Sequence, residues 1–236
     1  MVNVTYSLEG SNGDVITFDE SEYVLKTGIL GFGIPPTSVR IEESAGDGGV
    51  WRHTKRLARD LDLPITVFGT DRGDVQTKLR RLGTLLQDAE GAPRLRATYY
   101  DGTSVFINVH YTGGGETNYD NVESGLTWAT WAISLRAPNP FWLSGISEGF
   151  SISTGGTGRG LLPQLSKMKV SSSSTLGVVT VINAGDVATF PVWVISGPVK
   201  DVVITNGVQA FSFADVFSGE VITINTETAS VTNADG

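Results

Sequence analysis

The chain holds two histidines, His53 and His110, and no cysteine. Disulfides, thiolate metal sites and cysteine nucleophiles are therefore excluded from the start. A histidine-dependent hydrolase would need one imidazole beside a nucleophile, with a carboxylate to orient it. His53 stands in a basic run, "RHTKRLAR" (52–59), and His110 in a strand-like stretch, "VFINVHYT" (105–112). Structural or solvated rings are the expectation for both. No His-Glu-x-x-His zinc pair occurs. The glycine-rich "GGTGRG" (155–160) lacks the Lys-Ser/Thr that a phosphate loop uses. "DRGD" (71–74) and "NYDNVE" (118–123) each carry two carboxylates without the ligand spacing of a calcium loop, and read as a helix cap and a loop. Glu and Asp are plentiful enough for a glycosidase, but nothing selects a pair. No catalytic, cofactor-binding or metal residue is expected, no cofactor is implied, and the chain is read as not an enzyme.

Binding chemistry is the stronger rival. Trp193, Phe211 and Phe213 could form a platform on which a sugar stacks. Trp193 lies in "FPVWVIS" (190–196), however, an apolar strand in which core packing is the expectation, and Phe211, Phe213 and Phe217 read as inward-facing. Trp128, Trp131 and Trp142 read as hydrophobic anchors of core or interface.

Charge argues against a nucleic-acid binder. Residues 1–142 carry 13 Lys+Arg against 18 Asp+Glu, and residues 143–236 carry 4 against 7, so both parts are acidic. Counterion release needs a basic face, and "RHTKRLAR" is the one candidate. On a strand, strict alternation splits it, with Arg52 and Arg56 to one side and Lys55 and Arg59 to the other. Solvated or intersubunit salt-bridged side chains are the reading, with phosphate contact the lesser alternative. No apolar run is long enough to span a membrane. The opening "MVNVTYSLEG" lacks the basic start and apolar core of a signal peptide, so folding in a cytosol is expected.

The elements that must position these residues are mostly strands. Asn12-Gly13 and Asp101-Gly102 mark two hairpins, since both pairs tolerate the positive φ of a tight turn. "AGDGGV" (45–50) is a flexible loop tip. Leu61, Leu63, Ile65 and Val67 share one strand face, and Pro64 points to an edge or bulge. One helix is expected over roughly 74–88: Val75, Leu79, Leu82, Leu85 and Leu86 recur at helical spacing, and Asp71 or Asp74 can cap it. Gly83 inside it would permit close approach to a sheet. In "LTWATWAISLRAP" (126–138), Ala129, Trp131, Ile133 and Leu135 alternate with Trp128, Thr130, Ala132 and Ser134. That strand meets Pro138 and Pro140, and Phe141 and Trp142 follow at once. The stop reads as a seam between an N-terminal domain, 1–142, and a C-terminal domain, 143–236, with Phe141 and Trp142 as inter-domain anchors. Beyond it the charges thin out, "STGGTGRG" (153–160) and "SSSST" (171–175) read as loops, and five or six short strands follow as a β-sandwich or jelly roll.

At this level of detail the sequence resembles the distal tail protein (Dit) family of long-tailed phages. "INAGDVATFPVWVISGPVKDVVITN" (182–206) followed by "FSGEVITINTETASV" (217–231) carries the likeness in the tail half. In the front half it rests on the Asn12-Gly13 hairpin, "GILGFGIPP" (28–36), "RDLDLPITVFG" (59–69), the Leu-rich helix, "YYDGTSVFINVHY" (99–111) and "APNPFW" (137–142). The resemblance implies a mainly β protein. Its N-terminal belt domain would be a β-sandwich with one α-helix and a projecting β-hairpin, and its C-terminal domain a galectin-like β-sandwich. It implies self-association as a homohexameric ring in the virion's tail tip, assembled in the host cytoplasm. The implied partners are the tail tube protein and the hub or tail-associated proteins, with tape-measure protein and passing DNA in the lumen. In the family the outer sandwich usually continues past the element matched by 220–226, so this one is either completed differently or short of its last strands; both stay open. The rival functions are a carbohydrate-binding module for host attachment and a wall-degrading enzyme.

Overall fold

In a computed structural model of the chain, the Asn12-Gly13 pair turns β1 (Val4–Glu9) into β2 (Val15–Phe18), with Gly13 at φ 82°. Residues 4–19, 21–87, 91–115, 125–145, 149–152, 180–205, 208 and 210–233 are described. The loops read at 153–160 and 171–175, and the "NYDNVE" carboxylates, lie outside them. The chain divides into two units, Met1–Gly149 and Phe150–Gly236. Every ladder among the described strands is antiparallel.

The first unit is a two-sheet sandwich. After β1 and β2 come β3 (Tyr23–Leu25), β4 (Thr37–Glu43), β5 (Gly49–Arg56), β6 (Arg59–Phe68) and the helix α1 (Arg72–Leu85). β7 (Arg94–Tyr99), β8 (Ser104–Asn108), β9 (His110–Gly114), β10 (Trp128–Ala137) and β11 (Leu143–Ser144) complete it. One sheet runs β11-β8-β7-β1-β2 and the other β3-β6-β10-β9. Register explains the core. Ile16 faces Leu8, Leu8 faces Leu95 and Leu95 faces Ile107, so four buried aliphatic side chains line up across four strands. On the second sheet Leu61, Leu63, Ile65 and Val67 pair with Leu135, Ile133, Trp131 and Ala129. The two rows belong to one core cluster, and each fully buried aliphatic side chain contributes about 1.5–3 kcal/mol.

α1 closes the sandwich with Val75, Leu79, Leu82 and Leu85 buried. It begins two residues before the sequence expectation because Asp71 is the cap, its Oδ1 accepting from the Asp74 N–H at 2.9 Å. It ends at Leu85, and Leu86 forms the C-cap while remaining buried. Gly83 does not serve close packing: a Cβ there would meet nothing within 4 Å. Pro64 sits where β3 ends on β6, its carbonyl accepting from Lys26 N–H at 2.8 Å, so its missing donor falls at the last rung.

Residues 49–68 form two separate strands, β5 and β6. β4 and β5 pair only with each other in the described structure, forming a separate two-stranded sheet. The Ser44–Gly48 tip closes with Ser44 N–H on the Gly48 carbonyl. We call this hairpin the arm.

The second unit comprises β12 (Val192–Ser196), β13 (Val202–Thr205), β14 (Ala210–Phe213), β15 (Val221–Asn225) and β16 (Ser230–Asn233). β12-β15-β16 form one sheet and β13-β14 another. Trp193 on β12 meets Phe211 on β14 edge-on at 6.4 Å, joining the two sheets.

Candidate assembly surfaces

The arm carries side chains that a free surface hairpin would not need. Thr37, Val39 and Ile41 stand opposite Arg56, Thr54 and Trp51, while Arg40 and Glu42 stand opposite His53 and Val50. A bulge between Arg40 and Ile41 leaves Arg52 as the extra residue of β5. Trp51 therefore joins Val39 and Ile41, and its indole N–H donates to Thr54 Oγ1 at 3.0 Å. Arg52 moves to the opposite face and pairs with Glu42 at 2.5 Å. This corrects the alternation expected for the basic run, in which Arg52 and Arg56 share a side. Val39, Ile41 and Trp51 are 51%, 59% and 62% exposed. An isolated two-stranded ribbon is marginal in water, and one with an apolar face calls for a cover.

The root of the arm is built differently from its tip. Arg59, read from sequence as one more solvated cation, is 2% exposed. Its Nη1 donates to the Gly31 and Gly33 carbonyls at 2.6 and 2.8 Å, and its Nε donates to the Pro140 carbonyl at 3.0 Å. Burial holds its pKa below the ordinary arginine value. Three carbonyls in a planar fork suit a guanidinium and not an ammonium. Beside it, Phe32 packs edge-on against Tyr6 at 4.9 Å and against Trp142 at 5.7 Å. Trp142 is thus held within the first unit; Phe141 is half-buried, and its N–H donates to Asn139 Oδ1. Sequence reasoning missed Arg59 and Phe32. The only available signal was that Arg59 opens the strand whose odd positions are apolar, which puts it on the inward face.

The face of β6 and β10 turned away from the core is small and polar. Asp60, Asp62, Pro64 and Thr66 stand opposite Arg136, Ser134, Ala132 and Thr130. Ser134 Oγ donates to Asp62 Oδ1 at 2.6 Å, the Thr66 and Thr130 hydroxyls share a hydrogen bond at 2.8 Å, and Asp60 meets Arg136 at 3.6 Å. Pro64 and Ala132 interrupt the polar row, and Phe68 opposite Trp128 closes it at one end.

The groups considered for chemistry are scattered. His53 faces Arg40 on the arm, whereas His110 faces Arg136 on β9. Among the described residues no group of three or more His, Asp and Glu is placed to hold a metal ion, and no described helix is long and apolar enough to cross a membrane. Asp71 and Asp74 of "DRGD" are engaged in the helix start; the Thr70 N–H and then Lys78 hold the Asp74 carboxyl below the usual range. In the second unit Trp193, Phe211 and Phe213 are half-buried, and Phe217, expected inward, is 69% exposed.

Among solved structures, the fold is similar to the crystal structure of SPP1 Dit (gp 19.1), described as a paradigm of the hub adsorption apparatus in Gram-positive-infecting phages. The TM-score is 0.50 at 12% identity, covering 98% of this chain and 83% of that one. It is also similar to a chain of the phage p2 baseplate in its activated conformation with Sr, at TM-score 0.59, 11% identity and 98% and 83% coverage. For the activated phage P2 baseplate with Ca the values are 0.57, 13%, and 99% and 84%. No protein-family model and no curated protein matches the sequence. The likeness is one of fold, and it runs through both units.

Proposed function

We propose that this chain, which has the fold of a phage distal tail protein, is a structural component of a tail tip that assembles with its own copies into a ring. The observation that carries the reading is the arm: a two-stranded ribbon whose Val39, Ile41 and Trp51 face is exposed, on a chain whose fold is found in baseplate hubs. A second copy of the chain covers that face. In this reading residues 1–142 are the belt and residues 143–236 the second domain, with Phe141 and Trp142 as anchors at the junction; Phe32 holds Trp142 on the side of the first unit.

The polar wall of β6 and β10 lines the channel. Its carboxylates, Asp60 and Asp62, and its hydroxyls face a passing polymer, and the net acidic chain repels DNA and does not bind it. The ring joins tail tube to hub, six copies matching their symmetry, and performs no turnover.

Mass photometry and negative-stain imaging of the purified chain, alone and with the tail tube protein, test this. A sixfold annulus is expected. A chain that stays monomeric in both settings overturns the reading.

A further inference from the structure

We propose that Arg59 is the positioning residue of the arm, one guanidinium that locks both legs of the hairpin to the exit of β10 and so fixes the direction in which the arm leaves the sandwich. The inference rests on the self-association reading, and deepens it: the arm must be aimed as well as apolar.

The geometry is specific. The leg entering the arm passes through Gly31 and Gly33, whose carbonyls accept from Arg59 Nη1. The leg leaving it runs from Arg56 through Leu57 to Arg59 itself, and Leu57 N–H donates to the Pro36 carbonyl at 2.8 Å, closing the two legs together. The third bond, from Nε to the Pro140 carbonyl, ties both legs to the segment that follows β10. Phe32, between the two glycines, lies against Trp142 and so makes a second tie between the same two segments. Leu30 and Asp62 exchange backbone hydrogen bonds just beneath. Everything beyond Pro36 is a ribbon with no other described strand partner, so its direction depends on this root. A buried guanidinium bound only through carbonyls is an expensive way to add stability; a fork reaching three carbonyls of two separate segments is an effective way to add direction.

The absence of cysteine in the chain allows a direct measurement. Spin labels at Ser38→Cys near the arm root and Gln87→Cys after the helix, both exposed positions, report the arm's direction as a distance distribution. Ile41→Asp is included in every sample, so that no neighbouring copy holds the arm. One narrow peak is expected with Arg59 present. Arg59→Lys, which keeps the charge and loses the fork, is expected to lose that single peak to a broad distribution, and Phe32→Leu to broaden it less. Both variants are compared by thermal melting; should Arg59→Lys not fold, Phe32→Leu decides alone. A peak that stays narrow in the folded variants overturns the inference, whatever the wild-type mass. If the wild type stays monomeric both alone and with the tail tube protein while the peak still broadens with Arg59→Lys, the positioning role is supported and the ring reading is removed instead.

Discussion

Ile41 and Trp51 stand directly opposite each other across the arm, although plain alternation from Thr54 would turn Trp51 to the other face. The extra residue, Arg52, makes the difference. By taking two positions of β5 against one of β4, the bulge sorts the ribbon: Val39, Ile41 and Trp51 on one side, and Arg40, Glu42, Arg52 and His53, with Val50 among them, on the other. A one-sided ribbon of this kind can lie flat on a neighbour while its charged side stays wet.

Replacing Ile41 by Asp is therefore expected to abolish self-association and to leave the fold alone. Ile41 is exposed and outside the core cluster, so the effect on unfolding should stay within about 0.5 kcal/mol. Trp51→Ala should act similarly, since a buried interfacial Trp is commonly worth about 2 kcal/mol or more. Mass photometry against a thermal melt checks both; an unchanged mass distribution in the two variants would show that the ribbon's apolar face is not the contact.

Gly83→Ala should stabilise the first unit. The position is inside α1, has no positive φ, and a Cβ added there meets nothing. Removing the backbone entropy of a helical glycine is worth up to about 1 kcal/mol, a rise of roughly 2–4 °C for a unit of this size. A fall in melting temperature would mean that the helix surface is already in contact with something.

Much of this architecture is legible in the sequence because it depends on local rules. The Asn12-Gly13 and Asp101-Gly102 turns, the stripe from Val75 to Leu85 and the two faces of β10 all follow from residues within a few positions of one another. The bulge at Arg52 does not, because it is a property of how β5 registers against β4. Arg59 shows the same limit more sharply. The other cations of its run, Arg52, Lys55 and Arg56, are exposed, and its actual partners, Gly31, Gly33 and Pro140, lie up to 81 residues away. Phe217 fails for another reason: β14 ends at Phe213, so the alternation does not carry through to 217, and the neighbouring Val216, bridged to Val199, is the buried residue.

Acid should loosen the tie between the first hairpin and the helix. Arg81 holds Asp14 through two bonds, Nε to Oδ2 at 2.9 Å and Nη2 to Oδ1 at 2.5 Å. That hydrogen bonding keeps the Asp14 carboxyl below its ordinary value of 3.8 and raises Arg81. A carboxylate with a lowered folded pKa lends stability that is complete above the ordinary value and is lost as pH falls through the folded one. Asp14→Asn is thus expected to lower the melting temperature at neutral pH and to flatten its decline below about pH 4. Parallel melting curves for the two proteins, offset but equally steep in acid, would count against the tie.

Gly31 and Gly28 offer a matched pair for the arm root. Both have positive φ, 89° and 108°, so alanine at either is strained by about 1–2 kcal/mol. Only at Gly31 would the new Cβ also run into the backbone carbonyl of Asp60; at Gly28 the space is open. Gly31→Ala must therefore displace the loop from β6, and with it the carbonyl that accepts from Arg59. Gly28→Ala should cost the strain alone and leave association intact, whereas Gly31→Ala should cost more and weaken association. Because Gly31 and Arg59 share that hydrogen bond, Gly31→Ala combined with Arg59→Lys should be less damaging than the sum of the two, while Gly28→Ala with Arg59→Lys should add. Denaturant melts of the three single and two double variants measure the coupling; strict additivity in both pairs would show that the Gly31 carbonyl is not what the guanidinium holds.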